Sequence, residues 1–146
     1  MMAKEQGVQM PVYQVLIYPV SAVSKMDTVS YQENAEAKPL NKAMMAWFGK
    51  HTLAKPEDAQ NPRLSLLLAG DALKAMPPTT IILAQIDPLR SEGAKLAEPL
   101  QQAGVKVNLK TYEGVTHEFF GMAAVMHKAQ VAQTVVAADL RAAFGQ

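Results

Sequence analysis

Cysteine is absent from the 146 residues, and with it go disulfide frameworks, thiolate zinc sites and a cysteine nucleophile. The absence suits a reducing compartment. No run of 18 apolar residues occurs, so the sequence offers no membrane-spanning helix, and residues 1–10 lack the apolar stretch of a secretory leader. Charge of one sign is also scarce: 14 Lys and Arg stand against 13 Asp and Glu, a formal net charge of +1. Scattered, balanced charges present no face to nucleic acid or to anionic lipid. The expectation is a soluble, cytoplasmic protein with neither nucleic acid nor membrane as partner.

What is present describes a folded domain. Hydrophobic residues make up 49% and charged residues 18%, and a chain of this length builds one core rather than two. Residues 1–146 are read as a single domain, without internal repeat or linker.

Residues 11–39 read as a strand followed by a loop. The strand is VYQVLIY at 12–18, β-branched and aromatic, closed by Pro19, and it reads as buried on both faces. Residues 21–39 are polar and read as a long loop. Within residues 40–52 a helix is expected with Asn41 as N-cap and with Ala43, Trp47 and either Leu40 or Met44 along its inner side. Residues 55–62 read as a second polar loop.

Residues 79–146 hold a βαβα pattern. TTIILAQI at 79–86 is the strongest strand of the sequence, and Asp87-Pro88 follows it directly. Residues 91–103 have helical composition and end at Gly104, the residue expected just past a helix; Pro99 inside that helix removes a backbone donor. VKVNLKTY at 105–112 alternates and reads as a strand, with 113–122 as the loop after it. From Val125 the apolar positions Ala129, Ala132, Val136 and Leu140 recur at helical steps. Strand, helix, strand, helix in this order gives an α/β architecture with a parallel sheet and crossover helices.

In such sheets functional residues gather beyond the carboxyl ends of the strands. Asp87 stands at one such end and His117 in the loop after the next strand, so the two leave the sheet at neighbouring positions. A carboxylate bonded to one imidazole nitrogen fixes the tautomer and steadies the cation formed when the other nitrogen takes a proton. Asp before Pro also serves as a plain cap, and a lone loop histidine is often structural. Position alone leaves both readings open. His51 and His127 fall on helices away from His117 and no H-x-x-x-H pair exists, so neither a metal site nor a cofactor is expected.

The wording around the pair is specific. Asp87-Pro88-Leu89-Arg90-Ser91-Glu92-Gly93 resembles the acid-bearing DPLRDEG segment of the hormone-sensitive-lipase-like esterases, a branch of the α/β-hydrolase fold. Gly114-Val115-Thr116-His117-Glu118-Phe119-Phe120-Gly121 is similar to that family's base-bearing loop, and QVLIYP at 14–19 to its strand after the nucleophile helix. LAEPLQQAGVKV at 96–107 resembles the family's intervening helix and strand. The likeness covers nearly the whole chain and implies a partial α/β-hydrolase fold: a three-stranded parallel piece from the C-terminal half, with the N-terminal half absent. It implies Asp87 and His117 as the second and third members of a Ser-Asp-His triad, an ester as the small-molecule substrate, no cofactor, and a place for Leu89 and Phe119 in substrate binding.

Three departures leave the acid and base intact: Ser91 replaces an acidic residue, Glu118 replaces the commonest glycine, and Pro99 is unusual in its helix. A fourth concerns the nucleophile. No G-x-S-x-G occurs, no HGGG-like segment precedes Val12, and Ser21, Ser24, Ser30, Ser65 and Ser91 all lack the flanking glycines of a nucleophile elbow. The expectations are therefore an esterase piece with little turnover alone, a non-catalytic domain that forms a homo-oligomer through the bare edge at residues 12–18, or a half that complements a separate N-terminal fragment.

Overall fold

The computed structural model describes residues 2–23 and 25–145; Met1, Ser24 and Gln146 lie outside them, so the reading of Ser24 has no structural counterpart. Three parallel strands, β1 (Gln14–Ile17), β2 (Thr79–Ile86) and β3 (Val107–Thr116), pair in the order β1-β2-β3. Helices α1 (Met2–Glu5), α2 (Val29–Glu33), α3 (Lys42–Thr52), α4 (Arg90–Gln102) and α5 (His127–Ala143) surround them.

The central strand explains the core. Residues 79–84 are all buried, as a strand covered on both faces requires. Its side chains alternate between two layers. Ile81 and Leu83 pack with Leu96, Ala97, Leu100 and Val105 on the α4 side. Ile82 and Ala84 pack with Val115, Phe119, Ala129, Ala132 and Val136 on the α5 side. The helical periodicity of 129–140 is thus the inner face of α5, whereas Val125 lies before that helix and is exposed.

Local chemistry sets the ends of the elements. Asn41 caps α3 by accepting the Met44 N–H at 2.9 Å. Gly104, at φ 84°, closes α4 with Gly104 N–H on the Gln101 carbonyl and Val105 N–H on the Leu100 carbonyl, the paired bonds of a Schellman cap. Helix α4 runs on past Pro99 to Gln102.

Four expectations are corrected. The stretch 21–39 is not all loop: Thr28 accepts the Tyr31 N–H and starts α2. The polar stretch at 55–62 carries a 3-10 turn at Pro56–Gln60. Helix α3 is turned so that Ala43, Met44 and Trp47 face outward, Trp47 at 58% exposure, while Met45 packs towards Tyr31, Leu40 and Leu89. Strand β3 continues to Thr116 where a loop was expected from 113, and that extension positions the site.

Candidate active site

Asp87 is the first residue beyond β2 and is 1% exposed. Its Oδ1 accepts the Leu89 N–H at 2.9 Å and its carbonyl accepts the Arg90 N–H at 3.2 Å, so the turn into α4 is built on the acid itself. Helix α2 locks that turn from outside. Ser30 Oγ donates to the Pro88 carbonyl at 2.6 Å and accepts the Ser91 N–H at 3.0 Å, and the Ser91 hydroxyl accepts the Ser30 N–H at 3.1 Å. Asn34 Nδ2 donates to the Asp87 carbonyl at 3.4 Å.

His117 arrives by a change of register. Along β2 and β3, Ala84 faces Tyr112 but Ile86 faces Thr116, so β3 takes four steps where β2 takes two. The two extra residues keep side chains on their faces and bring residue 117 level with residue 87. Gly114 sits in this bulge at φ 66°, and its N–H is taken by the Gln85 side-chain oxygen at 2.7 Å. A glycine meets that φ without the Cβ clash of other residues.

His117 Nδ1 lies 2.8 Å from Asp87 Oδ2. With the carboxylate as acceptor, Nδ1 carries the proton and Nε2 is the basic nitrogen. Nε2 has no hydrogen-bond partner among the described residues, and the His117 side chain is 19% exposed. It lines a shallow depression with Lys38, Pro39, Asn41, Met44, Thr116, Glu118 and Met122. This arrangement takes up a proton at Nε2 and holds the resulting imidazolium against a buried carboxylate.

The other expected site residues lie elsewhere. Phe119 is fully buried between Tyr18 and Tyr112, because Glu118 at φ 75° turns the chain back over the sheet. Leu89 is 2% exposed and packs with Tyr31 and Leu40. Neither lines the depression at His117; within these residues both are core side chains. Ser21, Ser30 and Ser65 are buried in hydrogen bonds, Ser91 is bonded to Ser30, and none of these serines bonds His117. His51 packs against Trp47 with ring centroids 4.3 Å apart and does not line the depression at His117. No group of three or more His, Asp or Glu side chains fit to hold a metal occurs among the described residues.

Two residues at the site escaped the sequence. Tyr18 packs against His117 in a tilted arrangement with ring centroids 4.6 Å apart and accepts the Phe120 N–H through its hydroxyl. Burial pushes its phenol up to about 12; the Phe120 bond opposes this, and the charges of Asp87 and Glu118 add to it. Glu92, on α4 and 1% exposed, accepts the Ser21 N–H at 2.7 Å and the Ala22 N–H at 3.3 Å on Oε1. Burial is the main cause raising its carboxyl to about 7; the two backbone bonds lower it and the Asp87 charge adds to the rise. The Tyr-Pro pair at the end of a strand was the one signal for Tyr18. Glu92 stood in the segment that resembles DPLRDEG, but a carboxylate in a helical stretch reads as solvated, so its burial was not expected.

Known proteins share this arrangement of strands and helices. The family model described as alpha/beta hydrolase fold matches residues 1–121. The ethyl acetate hydrolase of Pseudomonas putida is 32% identical over 140 residues, covering 96% of this chain and 43% of that protein. The carboxylic ester hydrolase LipN of Mycobacterium tuberculosis is 35% identical over 121 residues, covering 82% and 32%. The solved hyperthermophilic esterase from the archaeon Pyrobaculum calidifontis superposes with a TM-score of 0.90 at 35% identity, covering 97% of this chain and 46% of that one. The chain thus spans less than half the length of these relatives, and its sheet is a partial version of theirs. By family match, by relatives and by fold, the chain belongs to the α/β-hydrolase-fold esterases of the hormone-sensitive-lipase-like family.

Proposed function

We propose that Asp87 and His117 are the acid and base of a carboxylic-ester hydrolase whose serine nucleophile is carried on polypeptide outside these 146 residues, so that this chain alone turns over little ester. The 2.8 Å contact between His117 Nδ1 and Asp87 Oδ2, at the ends of adjacent parallel strands, carries the reading. In the complete site Nε2 takes the serine proton as the hydroxyl attacks the ester carbonyl. The same nitrogen returns that proton to the leaving alcohol, and water then releases the acid from the acyl-enzyme. Asp87 holds the tautomer and offsets the imidazolium charge. The name of the Pseudomonas putida relative, an ethyl acetate hydrolase, favours a short acyl group.

The test compares p-nitrophenyl acetate hydrolysis by the chain alone with that of the chain joined behind an N-terminal esterase half carrying G-x-S-x-G. The joined protein should be active, and Asp87→Asn should lower its kcat by about 10³-fold or more. Turnover by the chain alone within about tenfold of a complete esterase, lost in His117→Ala, would overturn the division of the triad.

A second reading rests on β1. Gln14 N–H and Tyr18 N–H donate to Pro78 and Ile82 on the β2 side, so in a parallel ladder the Val15 and Ile17 amides point to the open edge. That edge favours self-association of this chain, with a second copy pairing along β1.

A further inference from the structure

Tyr18 is the first residue beyond β1, and its backbone is held at φ 47° although it carries a bulky side chain. That conformation is costly for any residue but glycine and persists only where its surroundings compel it. Here the Tyr18 N–H stays on the Ile82 carbonyl at 2.9 Å, so β1 remains tied to β2 up to the strained residue. What the left-handed turn achieves is the direction of the side chain. The ring lies 4.6 Å from the His117 ring at an interplanar angle of 48° and 5.7 Å from Phe119, and the hydroxyl receives the Phe120 N–H.

The Asp87 bond alone is a single in-plane anchor at Nδ1. It leaves the imidazole free to tip about the Nδ1 to Oδ2 line, which would swing Nε2 away from any reacting hydroxyl. A second contact, from the tilted Tyr18 ring, restricts that freedom. The turn behind His117 also needs an anchor, since Glu118 is itself left-handed at φ 75°; the Phe120 N–H on the Tyr18 hydroxyl supplies it. We propose that Tyr18 is a positioning residue for His117: its tilted ring packs against the imidazole and its hydroxyl pins the turn after it, together holding Nε2 in its catalytic orientation. The proposal rests on the acid and base reading above.

The experiment follows the His117 Hδ1 proton by NMR in the 146-residue chain, with the amides of β2 as the internal measure of fold integrity. Tyr18→Gly relieves the strained φ, so β2 amides should keep their protection while Hδ1 exchanges with water about tenfold faster or more. Tyr18→Phe keeps the ring and should fall between wild type and Tyr18→Gly. Unchanged Hδ1 exchange in Tyr18→Gly overturns the proposal. So does acceleration of the β2 amides by the same factor, which would make Tyr18 a general support of the fold. In the joined esterase, Tyr18→Gly should lower kcat by about tenfold or more with KM unchanged, and an unchanged kcat in a protein with His117-dependent activity overturns the proposal. A joined protein without His117-dependent hydrolysis, but with the Hδ1 behaviour expected here, refutes the esterase reading and leaves the positioning of His117 standing.

Discussion

Glu92 Oε1 accepts the Ser21 N–H at 2.7 Å, while Oε2 of the same carboxyl is buried with no partner among the described residues. One oxygen therefore ties α4 to the chain beyond β1, and the other is left in a dry, unpaired site. An unpartnered buried oxygen is better tolerated with a proton on the group than with a charge, in line with a carboxyl raised from 4.5 to about 7.

A fall in stability with rising pH follows. Below about pH 4.5 the carboxyl is protonated in both folded and unfolded chains and imposes no penalty. Between about 4.5 and 7 the unfolded chain releases a proton that the folded chain keeps, so stability falls, by up to about 3 kcal/mol from this group at pH 8. Urea unfolding at pH 5 and pH 8 should show the decline, and Glu92→Gln should flatten it. A Glu92→Gln curve parallel to that of the parent would remove the ionisation of Glu92 as the cause.

Helix α4 approaches β2 at Gly93, where an added Cβ would stand 2.6 Å from Leu83 Cδ2 and 3.5 Å from Pro19 Cγ. Leu83 is 1% exposed, so its methyl must shift within the core to make room. Gly93→Ala should cost about 1–3 kcal/mol through overpacking. Shortening the neighbour in a Gly93→Ala, Leu83→Val double variant should recover part of that loss, a coupling that a double-mutant cycle of denaturation midpoints measures. Simple additivity of the two changes would place the strain elsewhere.

The bulge at Gly114 brings His117 level with Asp87. Gly114→Ala places a Cβ on a residue at φ 66°, 3.4 Å from Lys128 Nζ, at a cost of about 1–2 kcal/mol. In the joined esterase the loss of kcat should exceed what the change in stability explains, because a shifted register moves the base away from the acid. Full kcat in a stably folded Gly114→Ala protein would show that the bulge is not needed to align the pair.

Self-association through β1 has its own probe. Val15→Pro removes an amide that faces the open edge, where proline is tolerated in an edge strand, and leaves the Gln14 and Tyr18 bonds to β2 in place. Sedimentation should find an oligomer for the parent chain and a monomer for the variant. A monodisperse parent monomer would end that reading.

Much of this was legible because it depends on local pattern. TTIILAQI became β2 without change of boundary, and Asp87 and His117 met because consecutive parallel strands end side by side. What stayed hidden depends on contacts far apart in sequence. Tyr18 gains its role from a strained turn and from Phe120, 102 residues away. Helix α2 forms where polarity suggested loop, because Ser30 finds Pro88 and Ser91 across 58 and 61 residues. The burial of Phe119 was equally hidden, since its packing against Tyr18 and Tyr112 follows a left-handed residue, Glu118, that no local pattern announced.

The advance of β3 by two residues also bears on how the pairing of Asp87 and His117 is assembled. Asp87 and His117 are separated by a single crossover of 30 residues, so bringing them together closes one modest loop. The pair's supports come from further back, since Ser30 and Asn34 hold the turn at Asp87 and Tyr18 packs against His117. Grafting residues 79–146 alone into a relative would therefore carry the contact but leave its bracing behind.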